Sequence, residues 1–190
     1  MRDKFLEGLE ERWRARRDEH GNFRETPAWT YFDVAEAHQW LWLGKQAQAW
    51  RTVRWFWDHQ AAPGLYTWWE GEGEENSFGL WERVRGWVKP RHVTPHYWTA
   101  AEMLLLQLDM LAYTTRASNS PPTLVIGAGI PADWLKQSMS VADLHLREGD
   151  AAWRWDGRAM KVTLRSDTKL DVQLGPAFPT GTPLEIQYAR

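Results

Sequence analysis

Residues 94–130 read TPHYWTAAEMLLLQLDMLAYTTRASNSPPTLVIGAGI. Three characters follow one another in this stretch. Thr94-Pro95 has the form of an N-cap followed by a first-turn proline. The apolar run behind it, to about Tyr113, reads as a helix that is apolar nearly all round and therefore buried. Residues 114–122, TTRASNSPP, have the composition of a linker. From Thr123 the apolar residues come in short runs bounded by glycine and proline, which is strand grammar. The chain thus turns from helix to strand once, and an α+β class with the two kinds of structure segregated along the sequence is expected.

Working towards the N-terminus, the helical pattern repeats. Thr26-Pro27 again reads as cap and first helical residue, and a helix is expected from Pro27 to about Leu43. Gly44-Lys45 is a short link to a second helix, about Gln46 to His59, striped with Trp50, Val53 and Trp57. The two form an antiparallel helical hairpin. Residues 3–19 read as a further helix, with Phe5, Leu6, Leu9 and Trp13 on one face and Arg12, Arg14, Arg16 and Arg17 on a solvated one. The Thr-Pro starts share a nearby Trp-Thr and a later Ala-Glu, so a weak repeat of hairpins is visible.

Towards the C-terminus, VADLHLREGD, AAWRWDG, RAMKVTLRS, LDVQLG and PLEIQYAR read as strands. Asp156-Gly157 is a hairpin turn, because Asp-Gly supplies the positive φ that such turns need. Pro131–Gln137 suits a single helical turn. The expected division is residues 1–117 for the helical hairpins and 118–190 for a small antiparallel β-sheet unit.

Between the hairpin and the Thr94 helix, residues 62–93 have little helical period, apart from a short turn near Phe78–Val84. Loops of that length in a compact domain are often functional. This one contains WWEGEGEEN from Trp68 and carries Glu70, Glu72, Glu74 and Glu75. Fifteen tryptophans stand in 190 residues. An indole is equally core filler and a flat platform for a ligand, and beside carboxylates the platform reading gains weight.

Composition narrows the function. A net charge of −2 argues against nucleic acid or an anionic membrane as the partner. There is no cysteine, so disulfides and thiolate metal sites are excluded. No run approaches the roughly 20 apolar residues of a membrane helix. The N-terminus lacks the apolar segment of a signal peptide, so a cytoplasmic location is expected. The histidines show no metal-ligand spacing, and no metal is expected. Gly127-Ala128-Gly129 is an incomplete dinucleotide pattern with no long helix after it, and no cofactor is expected.

Carboxylates beside indoles are the chemistry of sugar-handling sites. Glycoside hydrolysis needs two carboxyl groups flanking the bond. Trp68 and Trp69 give Glu70 an apolar flank, the setting in which a carboxyl group keeps a proton for general-acid work. Glu102 sits two turns into a helix that looks buried, where a carboxylate is costly unless paired or used; Arg85 and Arg91 are candidate partners. His96, in the first turn of that helix, can hydrogen-bond a sugar hydroxyl, and Trp98 shares a face with Glu102. Asp33 and Glu36 are weaker candidates of the same kind.

Residues 94–111 with TLVIGAGIPADWL after them resemble the C-terminal part of bacterial six-hairpin glycosidases. These enzymes have an (α/α)6 toroid in which a late helix leads into a small β tail. YFDVAEAHQWLWLGKQAQAWRTVRWFWDHQ resembles one of their inner-and-outer helix hairpins, and GLYTWWEG the cleft loop that follows. The likeness spans roughly residues 25–180. A complete toroid has twelve helices and this sequence supplies about four, so the resemblance implies an incomplete, truncated toroid whose open side a homo-oligomer would cover.

The resemblance implies a glycoside-hydrolase-like protein acting on oligosaccharide. Glu70 and Glu102 would be the catalytic carboxylates, and Trp68, Trp69, His96 and Trp98 the substrate contacts. The rival is a non-catalytic carbohydrate-binding or assembly module that kept the platform and lost a partner carboxylate. A third reading is a scaffold with its indoles in the core.

Overall fold

A computed structural model describes residues 2–71, 93–118 and 120–189. The class is α+β. Among the described residues there are four helices, α1 (Arg2–Arg16), α2 (Thr30–Trp42), α3 (Gln46–Asp58) and α4 (Tyr97–Leu111). Seven strands follow: β1 (Ala112–Thr115), β2 (Thr123–Ile126), β3 (Met139–Leu146), β4 (Gly149–Trp155), β5 (Met160–Arg165), β6 (Asp171–Leu174) and β7 (Leu184–Tyr188). A single 3-10 turn spans Ala132–Lys136. Two compact units meet between Leu106 and Gln107, inside α4. No described helix is long and apolar enough to cross a membrane.

The helical unit is built on the α2–α3 hairpin. α2 ends in a Schellman motif: Gly44, at φ +77°, donates its N–H to Leu41 O at 3.0 Å, and Lys45 donates to Trp40 O at 2.8 Å. A left-handed residue is required there, and glycine supplies it without a Cβ penalty. α2 buries Val34, Ala37, Trp40 and Leu41. The buried residues of α3 are Ala49, Thr52, Val53, Trp55 and Phe56. Trp50 and Trp57 lie beside them, packed edge to face at 5.8 Å.

α1 is tied to α2 by charge. Arg16 grips Asp33 with both terminal nitrogens, and Arg12 Nε donates to Glu36 Oε2 at 2.5 Å. The arginine run is therefore solvated only in part: Arg12 and Arg14 are exposed, whereas Arg16 is half-buried and Arg17 buried. Arg17 is 4% exposed, bonds Thr52 Oγ1 at 2.9 Å and stacks on Phe23. Burial pulls its guanidinium down to about 10.

Neither helix start falls where the Thr-Pro pairs predict. α2 begins at Thr30 and α4 at Tyr97, each a few residues later. The backbone ahead of them is committed elsewhere: Trp29 bridges Gly71, and His96 N–H donates to Trp68 O at 2.8 Å. α4 is also not buried all round. Met103 and Leu106 are inside, whereas Leu104 and Leu105 are 59% and 51% exposed.

In the other unit the end of α4 runs straight into β1, so Thr114 and Thr115 are strand rather than linker and pair with Leu124 and Thr123. The strands form two sheets, ordered β1-β2-β6 and β3-β4-β5-β7. The hairpins β1–β2, β3–β4 and β4–β5 are antiparallel, but β2–β6 and β5–β7 are parallel. The sheets are mixed rather than antiparallel throughout because the chain alternates between them: β3 to β5 form the crossover from β2 to β6, and β6 the crossover from β5 to β7. Alternation along β4 and β5 puts Ala151, Trp153, Trp155, Met160, Val162 and Leu164 into one core with Leu124 and Ile126. The Asp156-Gly157 turn is present, with Gly157 at φ +96° and the Asp156 carboxylate accepting from the N–H groups of Arg158 and Ala159, both at 2.8 Å.

Candidate functional site

The segment Trp68–Gly71 is laced to both neighbouring chain segments. Thr30 N–H donates to Glu70 O at 3.2 Å, Glu70 N–H donates to Val93 O at 3.2 Å, and Trp29 bridges Gly71. The Thr30 hydroxyl donates to Trp69 O and lies 2.8 Å from the hydroxyl of Thr99. Two helix N-termini and one loop are thereby clamped together. Val93 sits at φ +49°, a conformation that β-branched residues avoid.

That lacing determines the fate of the two tryptophans. Trp68 is 2% exposed and Trp69 0%. Their indole N–H groups donate to main-chain carbonyls, Trp68 to Phe56 O at 2.8 Å and Trp69 to Pro27 O at 3.1 Å. Neither ring has a face open to stack on a sugar. The expectation that they line the cleft is corrected: they are core, and their hydrogen bonds hold the loop.

His96 is also buried. Its Nδ1 lies 2.8 Å from Thr99 Oγ1, within the same first turn, so it supports the clamp. Trp98 has the opposite character, at 69% exposure. It adjoins Tyr31 with ring centroids 6.3 Å apart; Tyr31 adjoins Phe32 at 5.5 Å, and Phe32 adjoins Trp29 at 6.2 Å. Phe32 is 57% exposed. Four rings thus form a connected aromatic surface across the N-terminal ends of α2 and α4. Sequence reading picked out only Trp98 of these. The missed signal was the position of Phe32 off the buried stripe of α2, where an aromatic residue faces water.

Glu102 lies one turn beyond Trp98, at the spacing that puts both on one side of the helix. Its Oε1 is 2.7 Å from His38 Nδ1 on α2, with side chains 15% and 7% exposed. The ring of Trp42 lies 4.2 Å from that of His38. Thr30 meets Thr99 near both helix starts, and His38 meets Glu102 further along, so α2 and α4 run in broadly the same sense. Of the predicted residues, the fold therefore brings Trp98 and Glu102 to one strip with Tyr31 and His38.

Glu70 is half-buried, with its backbone on the clamp and no side-chain ion pair among the described residues. Glu72, Glu74, Glu75, Arg85, Arg91 and the helical turn near Phe78–Val84 lie outside the described residues. Among the described residues no cluster of three metal-ligating side chains exists. Gly127, at φ +68°, lies at the end of β2, where an added Cβ would meet the side chains of Phe178 and Ile130.

Asp33 and Glu36 occupy a second groove. A cavity of about 500 Å3 lies between α1 and α2, walled by Phe5, Trp29 and Phe32. The ion pairs with Arg12 and Arg16 form its polar side. No family model, curated protein or solved structure matches the chain.

Proposed function

We propose that the helical unit is a glycoside-hydrolase-like module acting on oligosaccharide, its helical hairpins arranged like part of a six-hairpin toroid. The observation that carries this reading is the aromatic surface of exposed Phe32 and Trp98 joined by half-buried Tyr31, beside the Glu102–His38 pair. Rings open to solvent bind the apolar faces of pyranoses, and a carboxylate with an imidazole beside them accepts and donates hydrogen bonds to hydroxyls. Trp98 and Tyr31 are the stacking contacts. Glu102 is the hydroxyl partner, and half-buried Glu70 is the acid or base.

One observation favours the non-catalytic alternative. The carboxylate of Glu102 is already held by His38 at 2.7 Å, which suits a positioned hydrogen-bonding group better than a nucleophile. The same proposal includes self-association, since Leu104 and Leu105 leave an apolar face on α4 that an isologous dimer would cover.

The test is hydrolysis of aryl glycosides and neutral oligosaccharides by the full chain and by Glu70→Gln and Glu102→Gln, with mass in solution recorded alongside. Turnover abolished by Glu70→Gln establishes the enzyme. Sugar binding without turnover establishes the module. Neither binding nor turnover on any sugar removes the carbohydrate reading.

A further inference from the structure

The aromatic surface does not stop at Phe32. Phe32 and Trp29 are at once its last two rings and a wall of the cavity between α1 and α2. The cavity, at about 500 Å3, falls within the range of roughly 300–1,000 Å3 typical of small-ligand sites.

Its polar side has an unusual property. Asp33 and Glu36 are 2% and 9% exposed, so their carboxylates are fixed in the wall. Each is held by an arginine, Asp33 by Arg16 and Glu36 by Arg12, while the arginines remain 30% and 47% exposed. Two cations and two anions cancel, so the groove offers donors and acceptors in defined places without a net charge. Trp40 Nε1 donates to Glu36 Oε1 at 3.3 Å, fixing that carboxylate further. Each guanidinium is already neutralised by the carboxylate it holds, so a charged ligand finds no unpaired counter-charge in the groove. A neutral polyhydroxylated ring meets the exposed N–H groups of Arg12 and Arg16 for its hydroxyls and an aromatic wall for its C–H face.

We infer that the α1–α2 groove is a binding subsite for a neutral pyranose, the continuation of an oligosaccharide whose other units lie on Tyr31 and Trp98. This rests on the carbohydrate reading of the aromatic surface and extends it by one site. Arg12 and Arg16 donate to ring hydroxyls, and Phe32 is shared between the groove and the outer surface.

The experiment uses the 15N-labelled full chain titrated with cellohexaose, maltohexaose and chitohexaose, and with trigalacturonate as an anionic probe. The indole N–H signal of Trp98 reports the outer surface. The Nε–H signals of Arg12 and Arg16 report the groove. A neutral hexaose that binds is expected to move both sets, and Phe32→Ala, at a half-exposed position that should leave folding intact, to raise its Kd about three- to tenfold. Thermal unfolding of the variant checks the fold. A hexaose that moves the Trp98 signal while both arginine signals and the Phe32→Ala affinity stay unchanged overturns the groove and leaves the carbohydrate reading standing. No movement of either set with any hexaose overturns both. A larger shift of the arginine signals with trigalacturonate than with the hexaoses overturns the assignment to a neutral sugar.

Discussion

Tryptophan obeys its sequence pattern in the β unit and breaks it in the helical unit. Trp153 and Trp155 stand two apart on β4, and both face the core, as strand alternation requires. Trp68 and Trp69 are adjacent, yet both are buried, whereas Trp98 at the start of an apolar helix faces solvent. The difference lies in what surrounds the segment. A strand in a sheet has one covered face, so alternation sorts its side chains. The Trp68–Gly71 segment is clamped between two helix starts and has cover on both sides. Periodicity reports burial only where an element has one inner and one outer face.

The sharpest way to break this comparison is Trp69→Ala. Removing a fully buried indole should cost about 3–5 kcal/mol in denaturant unfolding; a loss under about 1 kcal/mol would mean the loop is not core. Within β4, Trp155→Phe should cost about 1 kcal/mol, because its Nε1 donates to Leu135 O at 3.0 Å. Trp153→Phe should be close to neutral or stabilising, because its buried Nε1 has no partner among the described residues. Equal losses in the two variants would show that the unpaired donor has found a partner in solution. Trp98→Ala should change stability by less than about 0.5 kcal/mol and should weaken oligosaccharide binding measured by calorimetry about tenfold, the effect of losing one stacking ring. The reverse result would make Trp98 structural.

The smallest effect concerns the turn after β4. The N–H groups of Ala159 and Arg158 hold the Asp156 carboxyl below its ordinary value. A depressed carboxyl contributes stability above its unfolded value of 3.8, and that contribution is lost as pH falls through the lower folded value. Asp156→Ala should therefore lower Tm at neutral pH, and the gap to the parent chain should close in acid. A gap that persists in acid would assign the effect to turn geometry alone.

Much of the candidate site was legible in part. Trp98 and Glu102 were placed together by helical spacing, which depends only on neighbours along one helix. His38, Tyr31 and Phe32 were not assigned to the site, because their proximity to α4 rests on a contact between helices some sixty residues apart in sequence. The ion pairs of Arg12 and Arg16 have no local signature for the same reason. A charge run on a helix looks solvated until another helix brings carboxylates to it.

By itself the sequence determined the α+β class, the α2–α3 hairpin with its glycine stop, the strands from Thr123 onward and the Asp-Gly turn. Each is written in local periodicity or in a residue that one backbone conformation demands. Only the tertiary structure decided the helix starts, the two parallel strand pairs, the burial of Trp68, Trp69 and His96, and the aromatic surface running from Trp98 to the α1–α2 groove. These depend on which distant segment takes up a backbone hydrogen bond or covers a ring, and local pattern carries no record of that choice.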